Sequence, residues 1–152
     1  MPYYHLSGGR LGVGSIVEPG NWGRIIRRHG WNHTFAIREM ALEAARLANF
    51  ENLPSRLDSC FGFASLTEAQ TFQAQIGGFQ THLLYRVSII DDTPIVGLTD
   101  SRLCGPSGEL RHNWADAYWN GMTMVEQGAE IADGTWREML TLSPLRIEER
   151  LD

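Results

Sequence analysis

Three dispersed pieces of the chain carry side chains that could take part in breaking a bond. They are His5 in the aromatic run Tyr3-Tyr4-His5-Leu6-Ser7, the segment Ser55-Arg56 with Ser59 to Phe63, and Glu130 far downstream. A buried carboxylate facing a breaking glycosidic bond suits an oxocarbenium-like transition state, because its attraction strengthens as positive charge develops on the sugar. Glu130 is the candidate for that group, with Glu126 in reserve. Each residue alone is ordinary, since a strand histidine is commonly structural and a strand glutamate commonly faces solvent; only the set points to chemistry.

Other chemistries are excluded by spacing. Gly12-Val13-Gly14 is followed by Ser15-Ile16-Val17, which lacks the third glycine of a dinucleotide-binding turn and starts a helix poorly. No Gly-Lys-Ser/Thr loop and no Gly-x-Ser-x-Gly elbow occurs. His29 and His33 are four apart, but Gly30 and Asn32 disfavour the helix that would align them on a metal. Arg24, Arg27, Arg28 and His29 form a basic cluster that reads as a solvated face or as a patch meeting phosphates.

The elements that must position these groups follow from periodicity. Residues 3 to 7 read as a strand, Ser15-Ile16-Val17 as a brief extended piece, and the stretch from Leu11 to Gly23 is too rich in Gly and Pro for a helix. From Ile37 to Asn49 the residues Ile37, Met40, Ala41, Ala44, Leu47 and Ala48 recur at helical spacing, predicting a helix with that stripe buried and Asn32 or Thr34 as cap. Leu57 to Phe63 alternates like a strand. Ser65-Leu66-Thr67-Glu68 is a capping box opening a helix to about Ile76, ended by Gly77-Gly78. His82 to Ile90 and Pro94 to Leu98 read as strands, 99–112 as loop, and Asn113 to Trp119 as a short helix. Val125 to Ala132, a turn at Asp133-Gly134, and Trp136 to Leu142 read as a hairpin, with Leu145 to Ile147 a last extended or frayed piece. Strands at both ends with two early helices predict an α+β class with a largely antiparallel sheet.

At 152 residues one domain spanning 1–152 suffices. With 43% hydrophobic and 20% charged residues the chain lies among globular proteins. A formal net charge of −5 supplies no global field for nucleic acid or an anionic membrane. Cys60 and Cys104 fit no metal or disulfide framework and suggest a reducing compartment, so the cytoplasm is expected. No run approaches the ~20 apolar residues of a membrane helix, and no membrane partner is expected.

In this order the residues resemble the ADP-ribosyltransferase fold. Tyr4-His5-Leu6-Ser7, then Leu11 through Gly14-Ser15-Ile16-Val17-Glu18-Pro19-Gly20-Asn21, is similar to the opening of the rifamycin-modifying ADP-ribosyltransferases, where Tyr-His-Gly-Thr precedes a Leu-x-x-Gly-x-x-Ile-x-Pro-Gly type stretch. Pro54-Ser55-Arg56-Leu57-Asp58-Ser59-Cys60-Phe61 is similar to small bacterial and phage domains of unknown function grouped with those enzymes. The resemblance implies two packed, largely antiparallel sheets with early helices, NAD as the substrate, and transfer of ADP-ribose to a protein, nucleic acid or small molecule. It places His5 on the adenine-side ribose, the Leu6 backbone on the nicotinamide amide with the Leu6 side chain turned away, and Ser7 beside the nicotinamide. Phe61 or Phe63 takes the stacking place of the usual tyrosine, Arg24 or Arg56 meets the pyrophosphate, and Asn21 joins the cofactor-binding positions. Glu130 would polarise the nicotinamide ribose, as catalytic partner of His5. NAD glycohydrolysis is the variant with water as acceptor. A toxin paired with an antitoxin or immunity protein, or a non-catalytic binding module keeping the fold, fits the same resemblance.

Overall fold

A computed structural model describes residues 2–104, 113–121 and 136–152. Its described elements make an α+β fold of two antiparallel sheets and four helices. In the first sheet β1 (Tyr3–Ser7) pairs with β4 (Leu83–Ile89), β4 with β7 (Leu145–Arg150), and β7 with β2 (Ile16–Val17). The second sheet sets β6 (Arg137–Thr141) between β3 (Cys60–Gly62) and β5 (Val96–Asp100). The C-terminal piece, expected to be extended or frayed, is extended and forms an interior strand. The partners of β6 are β3 and β5; the expected hairpin partner, 125–132, lies outside the described residues.

The sheets face each other through Cys60 and Met139 of the second and Tyr85, Val87, Leu145 and Ile147 of the first. Alternation along each strand makes this possible, since every second side chain points to the same face. Beyond the sandwich, Leu42 of α2 (Ala36–Asn49) and Ala117 to Trp119 of α4 (Trp114–Trp119) pack on Leu140. Ala69 of α3 (Leu66–Gln75) packs with Leu6, Phe63 and Leu84. Ser65 caps α3, its hydroxyl accepting from the Glu68 N–H, while the Glu68 carboxylate reaches the Arg137 N–H and guanidinium across the fold.

Two helices depart from the sequence expectation. The chain from Asn21 to His29 is helical (α1), because the Pro19-Gly20 turn ends with Gly20 at φ +88° and frees the following residues to coil. Gly23 is a poor helix former but permits the docking of this helix: a Cβ there would sit 1.9 Å from the Leu57 carbonyl oxygen. Arg27, Arg28 and His29 fall in the last turn, where cations suit the helix dipole.

The second departure concerns α2, which forms where expected but faces the other way. Its buried residues are Ala36, Glu39 and Leu42, whereas Ile37, Met40 and Leu47 of the expected core stripe are 73%, 54% and 59% exposed. Neither Asn32 nor Thr34 caps it: Phe35 takes the cap position, its N–H held by His33 Nδ1. The alternating segment after Ser55 is likewise not one strand. A 3-10 turn over Arg56–Asp58, in which Ser55 Oγ accepts from the Leu57 N–H, precedes the short β3.

Candidate functional site

The two sheets meet edge to edge beside His5. Tyr4 donates its N–H to the Phe63 carbonyl at 2.9 Å and accepts from the Phe63 N–H at 2.8 Å, so β1 turns the polar groups of Tyr4 away from β4. Leu6, two residues on, has the same orientation by the period of a strand. Its cross-strand partner Leu84 also points its polar groups outward, accepting from the Leu151 N–H and donating to Asp152 Oδ1. Leu6 therefore presents one backbone donor and one acceptor on an edge of β1 where they meet no partner among the described residues, while its side chain is buried against Phe63, Ala69 and Leu84.

His5 lies between this edge and β3. Its Nδ1 is 2.8 Å from the Phe61 carbonyl oxygen, and since a carbonyl only accepts, Nδ1 carries the hydrogen. Burial lowers its pKa from the ordinary 6.5; the Phe61 carbonyl opposes this and nearby His82 adds to it. The ring is accordingly neutral at physiological pH, with a bare lone pair on Nε2, which makes no hydrogen bond among the described residues. His82 is a member of this neighbourhood that sequence reasoning passed over. Its ring packs on Phe79 and beneath Gly8, and its buried Nδ1 has no partner among the described residues.

Ser7 closes a local turn by accepting from the Gly9 N–H. Asn21 and Arg24 are exposed on the first turn of α1, Arg24 donating to the Pro19 carbonyl. Phe63 is buried with its ring 5.1 Å from Phe72, and Phe61 is half-buried with its ring 5.0 Å from the Arg56 guanidinium. It is the Phe61 carbonyl, rather than its ring, that meets His5. Glu130 and Glu126 lie outside the described residues.

Arg56 is placed unlike the expectation that it faces a pyrophosphate. It is buried, donating from Nε and Nη2 to the Glu39 carboxylate and from Nη1 to Tyr118 and Glu138. Tyr118 in turn donates to Glu138 at 2.6 Å, and Arg38 donates to Glu39 at 2.8 Å. Burial would lower the Arg56 pKa, but the carboxylates of Glu138 and Glu39 outweigh it, so the guanidinium stays charged. Burial likewise tends to raise the Glu39 pKa, yet Arg56 and Arg38 bring it below the ordinary 4.5. Tyr118 is driven the other way, first by burial and then by Glu138, which keeps it a neutral donor.

This cluster was not legible as a unit, because its members come from α2, the 3-10 turn, α4 and β6. A signal does exist. Glu138 stands in the otherwise apolar run Glu138-Met139-Leu140, and Glu39 lies on the side of α2 opposite its apolar stripe. With Arg56 bound to three elements, the segment leading into Phe61 is held rigidly, and the carbonyl that orients His5 is held with it. Among the described residues no group of His, Cys, Asp and Glu could hold a metal ion, and no helix is long and apolar enough to cross a membrane.

No curated protein matches the sequence. Residues 17–133 match the family described as Protein of unknown function (DUF2441), a span that takes in α1 to α4 and leaves the His5 strand outside it. The chain belongs to that family.

Proposed function

We propose that the protein cleaves the nicotinamide–ribose bond of NAD and transfers ADP-ribose to an acceptor, as a member of the ADP-ribosyltransferase class. The observation that supports this most is the edge of β1: an N–H and a C=O at Leu6, without a partner among the described residues, beside His5, whose ring is fixed by the Phe61 carbonyl. A carboxamide is itself one donor face and one acceptor, so nicotinamide can pair with Leu6 as a short added strand would. His5 Nε2, neutral and accepting, suits a ribose hydroxyl.

In this reading Phe61 and Phe63 act as part of the wall, with Ser7, Asn21 and Arg24 around the mouth, and Glu130 supplies the carboxylate that favours positive charge on the nicotinamide ribose. Arg56 acts on the site indirectly by holding the approach to Phe61. Water as acceptor would make the protein an NAD glycohydrolase.

Titration calorimetry with NAD tests the pocket, and nicotinamide release tests the chemistry. His5→Ala is expected to weaken NAD binding, and Glu130→Gln to abolish nicotinamide release while NAD still binds. Failure of the wild-type protein to bind NAD would discard the proposal. Turnover retained in Glu130→Gln would move the carboxylate's role to Glu126.

A further inference from the structure

We infer that the surface formed by α1 and the turn into α2 binds a single-stranded nucleic acid, its arginines taking phosphates and its exposed aromatic rings taking bases. The inference is independent of the reading of the NAD site. From Pro19 to Arg38 the chain carries four arginines and two histidines and no aspartate or glutamate. A chain of net charge −5 thus gathers cations on one short stretch, and the field a polyanion meets there is local rather than global. Glu39, which ends the stretch, is turned inward onto Arg56 and Arg38 and is 1% exposed.

The helix spaces Arg24, Arg27 and Arg28 at i, i+3 and i+4, which puts three guanidinium groups on one side of α1, and all three residues are exposed. Arg24 donates to the Pro19 carbonyl, and Arg27 meets Asp58 at 3.1 Å with both side chains open to water. Such a surface pair holds its cation weakly, so a phosphate can take the place of Asp58. Arg28 makes no hydrogen bond or ion pair among the described residues.

Aromatic rings follow directly. Trp31 is 73% and Phe35 43% exposed. They belong to a connected cluster in which Trp22 stands edge-on to His33 at 5.2 Å, and His33 lies 5.9 Å from both His29 and Phe35. His33 is further fixed by accepting from the Phe35 N–H, so these rings are in place before a ligand arrives. Every base offers a π-face, so stacking on such rings tolerates any sequence but needs an unpaired base.

The exposed aliphatic side chains of Ile37 and Met40 come next on α2, and they make an anionic bilayer the competing occupant. The ring chemistry favours the nucleic acid. Arg38 lies 3.9 Å over the Phe35 ring, so Phe35 cannot enter hydrocarbon without carrying a guanidinium towards it. Trp31 is followed by Asn32, His33 and Thr34, all polar groups that resist insertion among acyl chains. A cation stacked on a ring suits a strand, whose bases and phosphates alternate in the same way.

Fluorescence anisotropy of labelled oligothymidylate and oligouridylate strands of about a dozen nucleotides, titrated with the full chain, tests the inference. Saturable binding of at least one strand is expected, with weaker binding of a duplex; preference for one strand would assign the sugar. A fourfold rise in salt should weaken binding roughly twentyfold, from about three phosphates at a slope near 0.7 each. Trp31→Ala should weaken it about tenfold with an unchanged circular dichroism spectrum, the worth of one stacked base. Arg28→Gln should weaken it and lower the salt slope by about 0.7. NAD titrations are expected to be unchanged in both variants, so this inference and the NAD reading fail separately. A wild type that binds neither strand, unchanged affinity in Trp31→Ala, or tighter Trp31-dependent binding to phosphatidylserine vesicles than to either strand would each overturn the inference.

Discussion

Arg56→Met offers the sharpest test of how the molecule is held together. The substitution keeps much of the side-chain volume and removes the one cation that bridges Glu39 and Glu138. The side chains of Arg56, Glu39 and Glu138 are 6%, 1% and 10% exposed, so water cannot replace the lost partner. Glu39 retains Arg38, but Glu138 is left with only the Tyr118 hydroxyl among the bonds of this cluster. Removing one member of a buried pair costs about 3–5 kcal/mol, mostly the penalty of the stranded charge. With a urea m-value of roughly 2 kcal/mol/M, the unfolding midpoint should fall by about 2 M with m unchanged.

Two further arms isolate the cause. Adding Glu138→Gln to Arg56→Met should recover part of the loss, a coupling of at least about 1 kcal/mol between neighbours. Lowering the pH should narrow the gap between variant and wild type, because the wild type loses what the ionised Glu39 contributes beside Arg56. The Glu39 pKa is lowered on folding, so its contribution is fully present above its ordinary 4.5 and is lost as the pH falls through the folded value. A loss below about 1 kcal/mol, or additive single and double variants, would refute a desolvated, coupled cluster.

Other expectations follow from close packing and burial. Gly23→Ala should destabilise the fold by a few kcal/mol, because its Cβ would need the space of the Leu57 carbonyl oxygen, 1.9 Å away; a thermal melt within about 2 °C of wild type would contradict the docking of α1 on that turn. Cys60, its thiol pushed up to about 11 by burial, should react with a thiol reagent at pH 8 only at the rate of unfolding, and rapid labelling in the native state would show the inter-sheet core to be open.

Local signals decided much of this protein without help from tertiary structure. The strand at Tyr3–Ser7, the Ser65 cap with α3, the strong β4 run and the short α4 each follow from spacing and turn chemistry within a few residues. At the candidate site the strand that carries His5 was legible, but not what its ring meets, since the Phe61 carbonyl that orients it lies 56 residues on. What the sequence could not decide is which surface each element meets. Periodicity defines an apolar stripe on α2 but not whether that stripe is covered by the chain's own core, and the need of buried Arg56 for Glu39 turned the helix over. Glycine and proline content argued against a helix from Leu11 to Gly23, yet α1 opens at Asn21, and only the distant Leu57 carbonyl explains why Gly23 belongs inside it. Arg56 itself, four residues before β3, reads as a free cation until folding brings carboxylates from residues 39 and 138 onto it. Contacts across such separations carry no local signature, whereas helix and strand propensities do, and the tertiary structure alone brings the separated residues together.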